Sequence, residues 1–164
     1  MEQYDLDSFR EKAQQQKTET KKIFKDLKRL KPKDLDQTFH QAHDIAFQKI
    51  DCLKCANCCK TTGPLFTPSD ISRLAKHFRL KASEFTDQYL RIDEDGDKVL
   101  KSVPCPFLGD DNYCGVYDIR PKACREYPHT DRYKMHQILK LTEKNASLCP
   151  AVFEISRAIS SKKH

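Results

Sequence analysis

The chain contains no tryptophan and only four glycines in 164 residues, and 38% of it is hydrophobic. With so little large apolar material, the core is expected to be small for the length and helices are expected to dominate. Something besides hydrophobic burial should then help to hold the fold. No apolar run approaches the roughly 20 residues needed to cross a bilayer, which excludes a membrane-spanning helix. The opening residues, Met1-Glu2-Gln3-Tyr4-Asp5, are acidic and polar where a secretory signal is basic and then apolar, so a cytoplasmic location is expected. A Ser-His-Asp order, a phosphate loop and a dinucleotide fingerprint are all missing, and no paired carboxylates stand out. No catalytic residue is therefore assigned, and enzymatic activity is left open. There is no internal repeat and no low-complexity tract.

What is plentiful is charge, at 33% of residues with a net +6, and cysteine, with eight residues. The length fits one domain or one domain with an appendage. From Leu6 to Leu30 a 3,4 spacing through Leu6, Phe9, Ala13, Gln16, Thr20, Ile23, Leu27 and Leu30 predicts one long amphipathic helix. Lys31-Pro32-Lys33 interrupts it, and Asp34 with Gln37 forms a candidate capping box for a second helix whose apolar face is Leu35, Phe39, Ala42, Ala46 and Ile50. The short connection makes these two a helical hairpin, residues 1–51, placed before a cysteine-cluster domain at 52–164. Further on, Thr67-Pro68-Ser69-Asp70 reads as a helix start, Asp95-Gly96 as the turn of a short β-hairpin, and Pro150 as the first residue of a closing helix. The fold class is thus mainly α with a short β-hairpin, built as a small irregular cysteine-rich metal-binding domain behind a helical hairpin.

Cys52, Cys55, Cys58 and Cys59 stand within eight residues, and Cys105, Cys114, Cys124 and Cys149 follow at wider intervals. A reducing cytoplasm disfavours structural disulfides, so such a pattern there points to metal or to redox chemistry. If the first run is helical, steps of 100° place its four thiols within an arc of about 120°. If it is a loop, the two-residue gaps still let thiolates converge on one ion. Adjacent Cys58 and Cys59 fit one centre poorly, so one of them serves a second metal, bridges, or stays a free thiol. Lys54, Lys60, Arg120 and Arg125 lie beside these positions and are candidates to offset thiolate charge.

Three motifs carry a resemblance. They are Cys52-Leu53-Lys54-Cys55-Ala56-Asn57-Cys58-Cys59, Cys105-Pro106-Phe107-Leu108, and Cys114-Gly115-Val116-Tyr117-Asp118-Ile119-Arg120-Pro121-Lys122-Ala123-Cys124-Arg125-Glu126-Tyr127-Pro128. Together with Cys149 they make the segment from Cys52 to Pro150 resemble the YkgJ-like cysteine-cluster proteins, a family associated with chelation of zinc or iron. The resemblance implies that all eight cysteines are metal ligands; Ala56 departs from the glycine often found at that place in the family.

The Cys-Pro pairs at Cys105 and Cys149 are partly like the ferredoxin ligand run and favour an iron–sulfur cluster, possible as [4Fe–4S]. Scattered cysteine pairs are equally normal for structural zinc. Zinc and iron stay open at this point, as does a redox-thiol protein, although Cys55-Ala56-Asn57-Cys58 lacks the βαβ setting of a thioredoxin motif. His40, His43 and His129 are auxiliary ligand candidates, and Tyr117 and Tyr127 are expected to pack around the cluster. Lys17, Lys21, Lys22, Lys25, Lys28, Arg29, Lys31 and Lys33 oppose only Glu19 and Asp26. This basic stretch supports the alternative function, a module that binds an anionic protein or nucleic acid while the metal is structural. With Phe24 as its single aromatic residue, it also lacks the interleaved aromatics that base stacking needs.

Overall fold

A computed structural model of the chain describes residues 5–162. It is mainly helical with one small antiparallel sheet. The chain forms two compact units, one from the residues up to Cys55 together with those from Pro128 onward, the other from Ala56–Tyr127. Among the described residues no helix is long and apolar enough to cross a membrane.

The first unit opens with α1 (Leu6–Gln15) and α2 (Lys17–Leu27). Asp5 caps α1, accepting from the Ser8 N–H at 3.0 Å. Phe9, Ala13, Thr20, Ile23 and Leu27 are buried, so the expected stripe is present. The single long helix is not, because the chain leaves helical geometry at Gln16 (φ −99°, ψ 17°). There Arg157 donates to Gln16 Oε1 at 2.8 Å and Thr20 Oγ1 at 2.8 Å. A guanidinium seated on the break thus partners two polar groups that lie on the buried stripe. Next comes α3 (Pro32–Phe47), which starts on Pro32 with Lys31 as its N-cap and without a side-chain cap bond. The Asp34–Gln37 capping box therefore does not form. Proline at the first helical position begins the helix earlier, and Asp34 falls inside the first turn, where it complements the helix dipole. A short helix, α4 (Cys52–Cys55), ends this part.

The second unit runs from α5 (Asn57–Thr61) to α6 (Pro68–His77) and α7 (Ala82–Tyr89). The helix starts at Pro68 as expected, and Thr67 and Asp70 form a capping box around it. Strands β1 (Leu90–Ile92) and β2 (Lys98–Leu100) pair antiparallel in the register Leu90 to Leu100. Gly96 turns between them at φ +83°, where a side chain would be strained. The apolar faces of α6 and α7 close on the hairpin through Ile71, Leu74, Phe85, Leu90 and Leu100. Phe107 enters this core from the cysteine-bearing loop; its ring centroid lies 5.4 Å from Phe78, 6.1 Å from Phe85 and 5.1 Å from Tyr89. A 3-10 turn at Tyr117–Ile119 then leads to α8 (Lys122–Glu126). Pro121 is the N-cap of that helix.

The chain completes the first unit with α9 (Leu139–Asn145) and α10 (Pro150–Ser161). The last helix starts on Pro150 as expected and is the centre of this unit, packing on α3, α2 and α9. Val152, Phe153, Ile155 and Ile159 are all at most 2% exposed. Phe153 meets Phe9 edge-on at 5.8 Å, and Arg157 lies 4.5 Å over its ring. Phe153→Ala should therefore cost about 3–5 kcal/mol of stability, whereas an alanine at Ile92, which is 68% exposed, should change it by less than about 0.5 kcal/mol. Urea unfolding of the two variants checks the contrast.

Candidate metal centre

In the first unit the thiols of Cys52, Cys55 and Cys149 interact. Asp51 starts the turn that carries the first two, its carbonyl accepting from Cys55 N–H at 3.1 Å and its Oδ1 from Leu53 N–H at 3.0 Å. Cys149 is the N-cap of α10 and is held by its own N–H to Asn145 O at 2.7 Å. Burial pushes the Cys149 thiol up to about 12, the Val152 N–H opposes this, and the charges of Cys52 and Cys55 add to the rise.

The second unit carries five thiols, Cys58, Cys59, Cys105, Cys114 and Cys124. Ala56 adopts φ +50°, ψ 10°, in the left-handed region. That geometry accounts for the preference for glycine at this place, which a Cβ makes costly. Through α5 the chain then presents Cys58 and Cys59. The Cys105 N–H donates to Cys59 O at 2.7 Å, which fixes two of the distant segments against each other. Leu108 and Cys114 form an isolated antiparallel bridge, and Gly115 N–H donates to Phe107 O at 2.9 Å, so Cys105 and Cys114 sit on one tight loop anchored by the Phe107 ring. Cys124 comes from α8. Burial pushes Cys124 up to about 12, aided by the charges of Cys59, Cys105 and Cys114 and opposed by Arg120. Burial likewise raises Cys105 to about 11, with Phe107 N–H opposing and Cys59 and Cys114 adding to it. Cys114 is raised by burial, against the Val116 N–H and Arg120. Cys59 goes the other way, to about 7, chiefly because the Cys58 thiol hydrogen-bonds to it, with Lys60 also helping against burial. Cys58 and Cys59 are thus unequal, and Lys60 and Arg120 do oppose thiolate charge as their positions suggest.

A buried carboxylate in the first turn of α6 holds the start of the helix that carries Cys124. Asp70 is 1% exposed. Its Oδ2 accepts from Thr67 N–H at 2.9 Å, and its Oδ1 from Arg73 Nη2 at 2.8 Å and Lys122 N–H at 3.1 Å. Arg73 in turn donates to the carbonyls of Ile119 and Arg120, each at 3.0 Å. The pair clamps the segment that enters α8, while Arg120 donates to Tyr117 O at 2.6 Å with its guanidinium 3.9 Å from the Tyr117 ring centroid. Burial works against the Asp70 charge, but the Thr67 N–H, Arg73 and Lys122 N–H win, and its carboxyl is held below the usual carboxylate value. An acid three residues before an arginine was the only signal, and it resembles any exposed helical pair.

The histidines are engaged elsewhere in the first unit. His40 Nε2 lies 2.8 Å from Arg132 O, and His43 Nδ1 lies 2.7 Å from Thr130 Oγ1. His129 also belongs to that unit and takes φ +65°. Among the described residues, no three Cys, His, Asp or Glu side chains form a ready-made metal shell. The donor set itself, five thiols in one unit and three in the other, fits a thiophilic ion such as zinc or an iron–sulfur cluster.

Residues 51–150 match the family model described as "CxxCxxCC: Putative zinc- or iron-chelating domain". No curated protein and no solved structure matches the chain.

Asp70→Asn keeps the shape but turns an amide donor toward groups that donate, so it should lower stability by about 1–3 kcal/mol at neutral pH. Because the folded-state pKa is depressed below 3.8, the contribution is present above the unfolded value and fades as pH falls through the folded one. Denaturant unfolding at pH 7 and pH 3 should show a gap between wild type and variant that narrows in acid.

Proposed function

The chain belongs to the CxxCxxCC family of zinc- or iron-chelating domains, and on that premise we propose that it is a cytoplasmic protein whose cysteines hold zinc or an iron–sulfur cluster. The observation that carries the reading is the meeting of Cys59, Cys105, Cys114 and Cys124 within one unit, each of the last three raised in part by the charge of its neighbours. These four are the ligands of a tetrathiolate centre. Cys52, Cys55 and Cys149 supply three ligands of a second one. Cys58 hydrogen-bonds to Cys59 and tunes it rather than serving as its equal. When bound, zinc would neutralise the thiolates and cross-link three distant stretches of chain, and an iron–sulfur cluster would add electron transfer.

The protein's own residues prepare the ligands for this. Arg120 and Lys60 favour the thiolate forms, and the Asp70–Arg73 clamp fixes the entry to α8. Orientation of ligands by such outer partners typically accounts for about 10–100-fold in metal affinity. The thiols of Cys105, Cys114 and Cys124 hold their protons at neutral pH, so a metal must displace them on entry.

A second reading has its own support. Lys21, Lys22, Lys25, Lys28, Arg29, Lys31 and Lys33 are all exposed while α2 buries Ile23, Phe24 and Leu27 beneath them. Such an outward basic face suits an anionic protein or nucleic acid, with the metal purely structural. Salt-sensitive retention that survives loss of metal, and disappears when these residues become glutamine, would favour it.

Serine at Cys105 or Cys124 should strip most of the metal of its centre, whereas serine at Cys58 should leave most of it bound. Anaerobic purification with zinc, iron and sulfide analysis of each variant measures this and identifies the metal. Full metal content in every variant would overturn the assignment of ligands. Uptake should release protons, and apparent affinity should climb as pH rises from about 6 to 8, because fewer protons must be displaced. Removal of the metal should unfold Ala56–Tyr127, since structural zinc contributes on the order of 10–16 kcal/mol against a net stability of roughly 5–15 kcal/mol for a typical domain. A melting profile that is the same before and after verified metal removal would refute the structural role.

A further inference from the structure

Within the first unit, a cleft of about 400 Å³ lies between α2 and α9, with Lys17, Thr20 and Lys21 on one wall and Lys140, Glu143 and Lys144 on the other. That volume is within the range of small-molecule sites. All four lysines are exposed, and among the described residues none has an ion-pair partner. Each helix contributes a lysine pair at i and i+4, Lys17 with Lys21 and Lys140 with Lys144. Like charges at that spacing repel and destabilise a helix, and here two such pairs face the same space. Behind Thr20, Arg157 adds a fifth cation. Its Nη2 donates to Thr20 Oγ1 at 2.8 Å, and among the described residues its buried Nη1 has no hydrogen-bond partner. Glu143 is the sole carboxylate among the described lining residues.

We propose that this cleft binds a compact polyphosphate that carries no nucleobase. The four ammonium groups call for a ligand that concentrates several negative charges in a small volume, as linked phosphates do. None of the described lining residues is aromatic, so nothing there would stack a base. The two hydroxyls are already committed, Thr20 Oγ1 donating to Gln16 O at 3.0 Å and Ser147 Oγ to Lys144 O at 2.8 Å. Recognition therefore falls to charge. None of the eight cysteines lines the cleft, so its anion binding does not depend on which metal the thiols hold.

The test is calorimetric titration of the full-length protein, carrying its metal, with inorganic tripolyphosphate in dilute buffer. One molecule should bind per chain, and more weakly as salt rises. The double variants Lys17→Gln with Lys21→Gln, and Lys140→Gln with Lys144→Gln, should each weaken binding by about tenfold or more. A control pair on α2 outside the cleft, Lys25→Gln with Lys28→Gln, should shift it less than about twofold. Circular dichroism and metal analysis of each variant establish that fold and metal content are retained. Heat that persists unchanged in both cleft variants would come from tripolyphosphate chelating the metal and would overturn the proposal. The proposal equally fails if the control pair matters as much as the cleft pairs, or if a short RNA duplex competes with equal strength and depends on Lys25 and Lys28, since the basic face as a whole would then be the binding surface.

Discussion

Thiols buried side by side can carry charge together only with a cation among them, and both cysteine groups of this chain sit under that constraint. Burial, with the charge of neighbouring thiols added to it, pushes Cys124 and Cys149 up to about 12 and Cys105 up to about 11. A lone arginine or lysine relieves this only in part. Arg120 acts on both Cys114 and Cys124, and Lys60 on Cys59, yet Cys105, Cys114 and Cys124 still stay above their ordinary value. A divalent ion or an iron–sulfur core meets the same need with direct bonds, and metal-site affinity then becomes folding free energy. This also bears on a chain that is only 38% hydrophobic and has little apolar material with which to join its distant loops.

Holding such thiols near one another in advance falls to ordinary packing. Phe107 sits two residues after Cys105 and is gripped by Phe78, Phe85 and Tyr89, so the loop carrying Cys105 and Cys114 is anchored by aromatic contact rather than by the thiols. Cys124 is positioned by polar means, through Asp70 and Arg73 acting on the carbonyls and N–H groups that precede it. Removing Arg73 would leave the buried Asp70 carboxylate without its cation, which is costly. The two devices differ in physics but both fix the backbone next to a thiol through contacts that the thiol does not make.

Legibility from sequence followed the range of each interaction. The start of α6 at Thr67-Pro68, the turn at Gly96 and the start of α10 at Pro150 depend on residues within one turn of each other, and all three are present as read. The break at Gln16 depends on Arg157, far along the chain, and no periodicity could have revealed it. The absent capping box at Asp34 and Gln37 has a local cause, since Pro32 was available as an earlier start. Cysteine spacing pointed to metal chelation, but the approach of Cys59 to the loop of Cys105 and Cys114 is set by the Cys105 to Cys59 backbone bond and the Leu108–Cys114 bridge, both tertiary. Ala56 is the intermediate case. Its departure from glycine was visible, and its left-handed backbone supplies the physical reason that the departure matters.

Range matters in the same way for the basic stretch. Read linearly, Lys17 to Lys33 is one run of positive charge, and its simplest meaning is a solvated helix face. Folding divides it. Lys17 and Lys21 turn toward a cleft that α9 shares, whereas Lys22, Lys25 and Lys28 stay exposed without belonging to it. A lysine surrounded by water repels its neighbours weakly because solvent and salt screen the charge, but cations on two walls of one cleft act on a common volume that screening reaches less well. Repulsion of that kind persists in a fold when it is small beside the packing that causes it, or when an anion offsets it. In this unit Thr20, Ile23 and Leu27 bury α2 whatever the lysines do, so the packing already fixes where the two walls stand. The cations are then free to be selected for what enters between them.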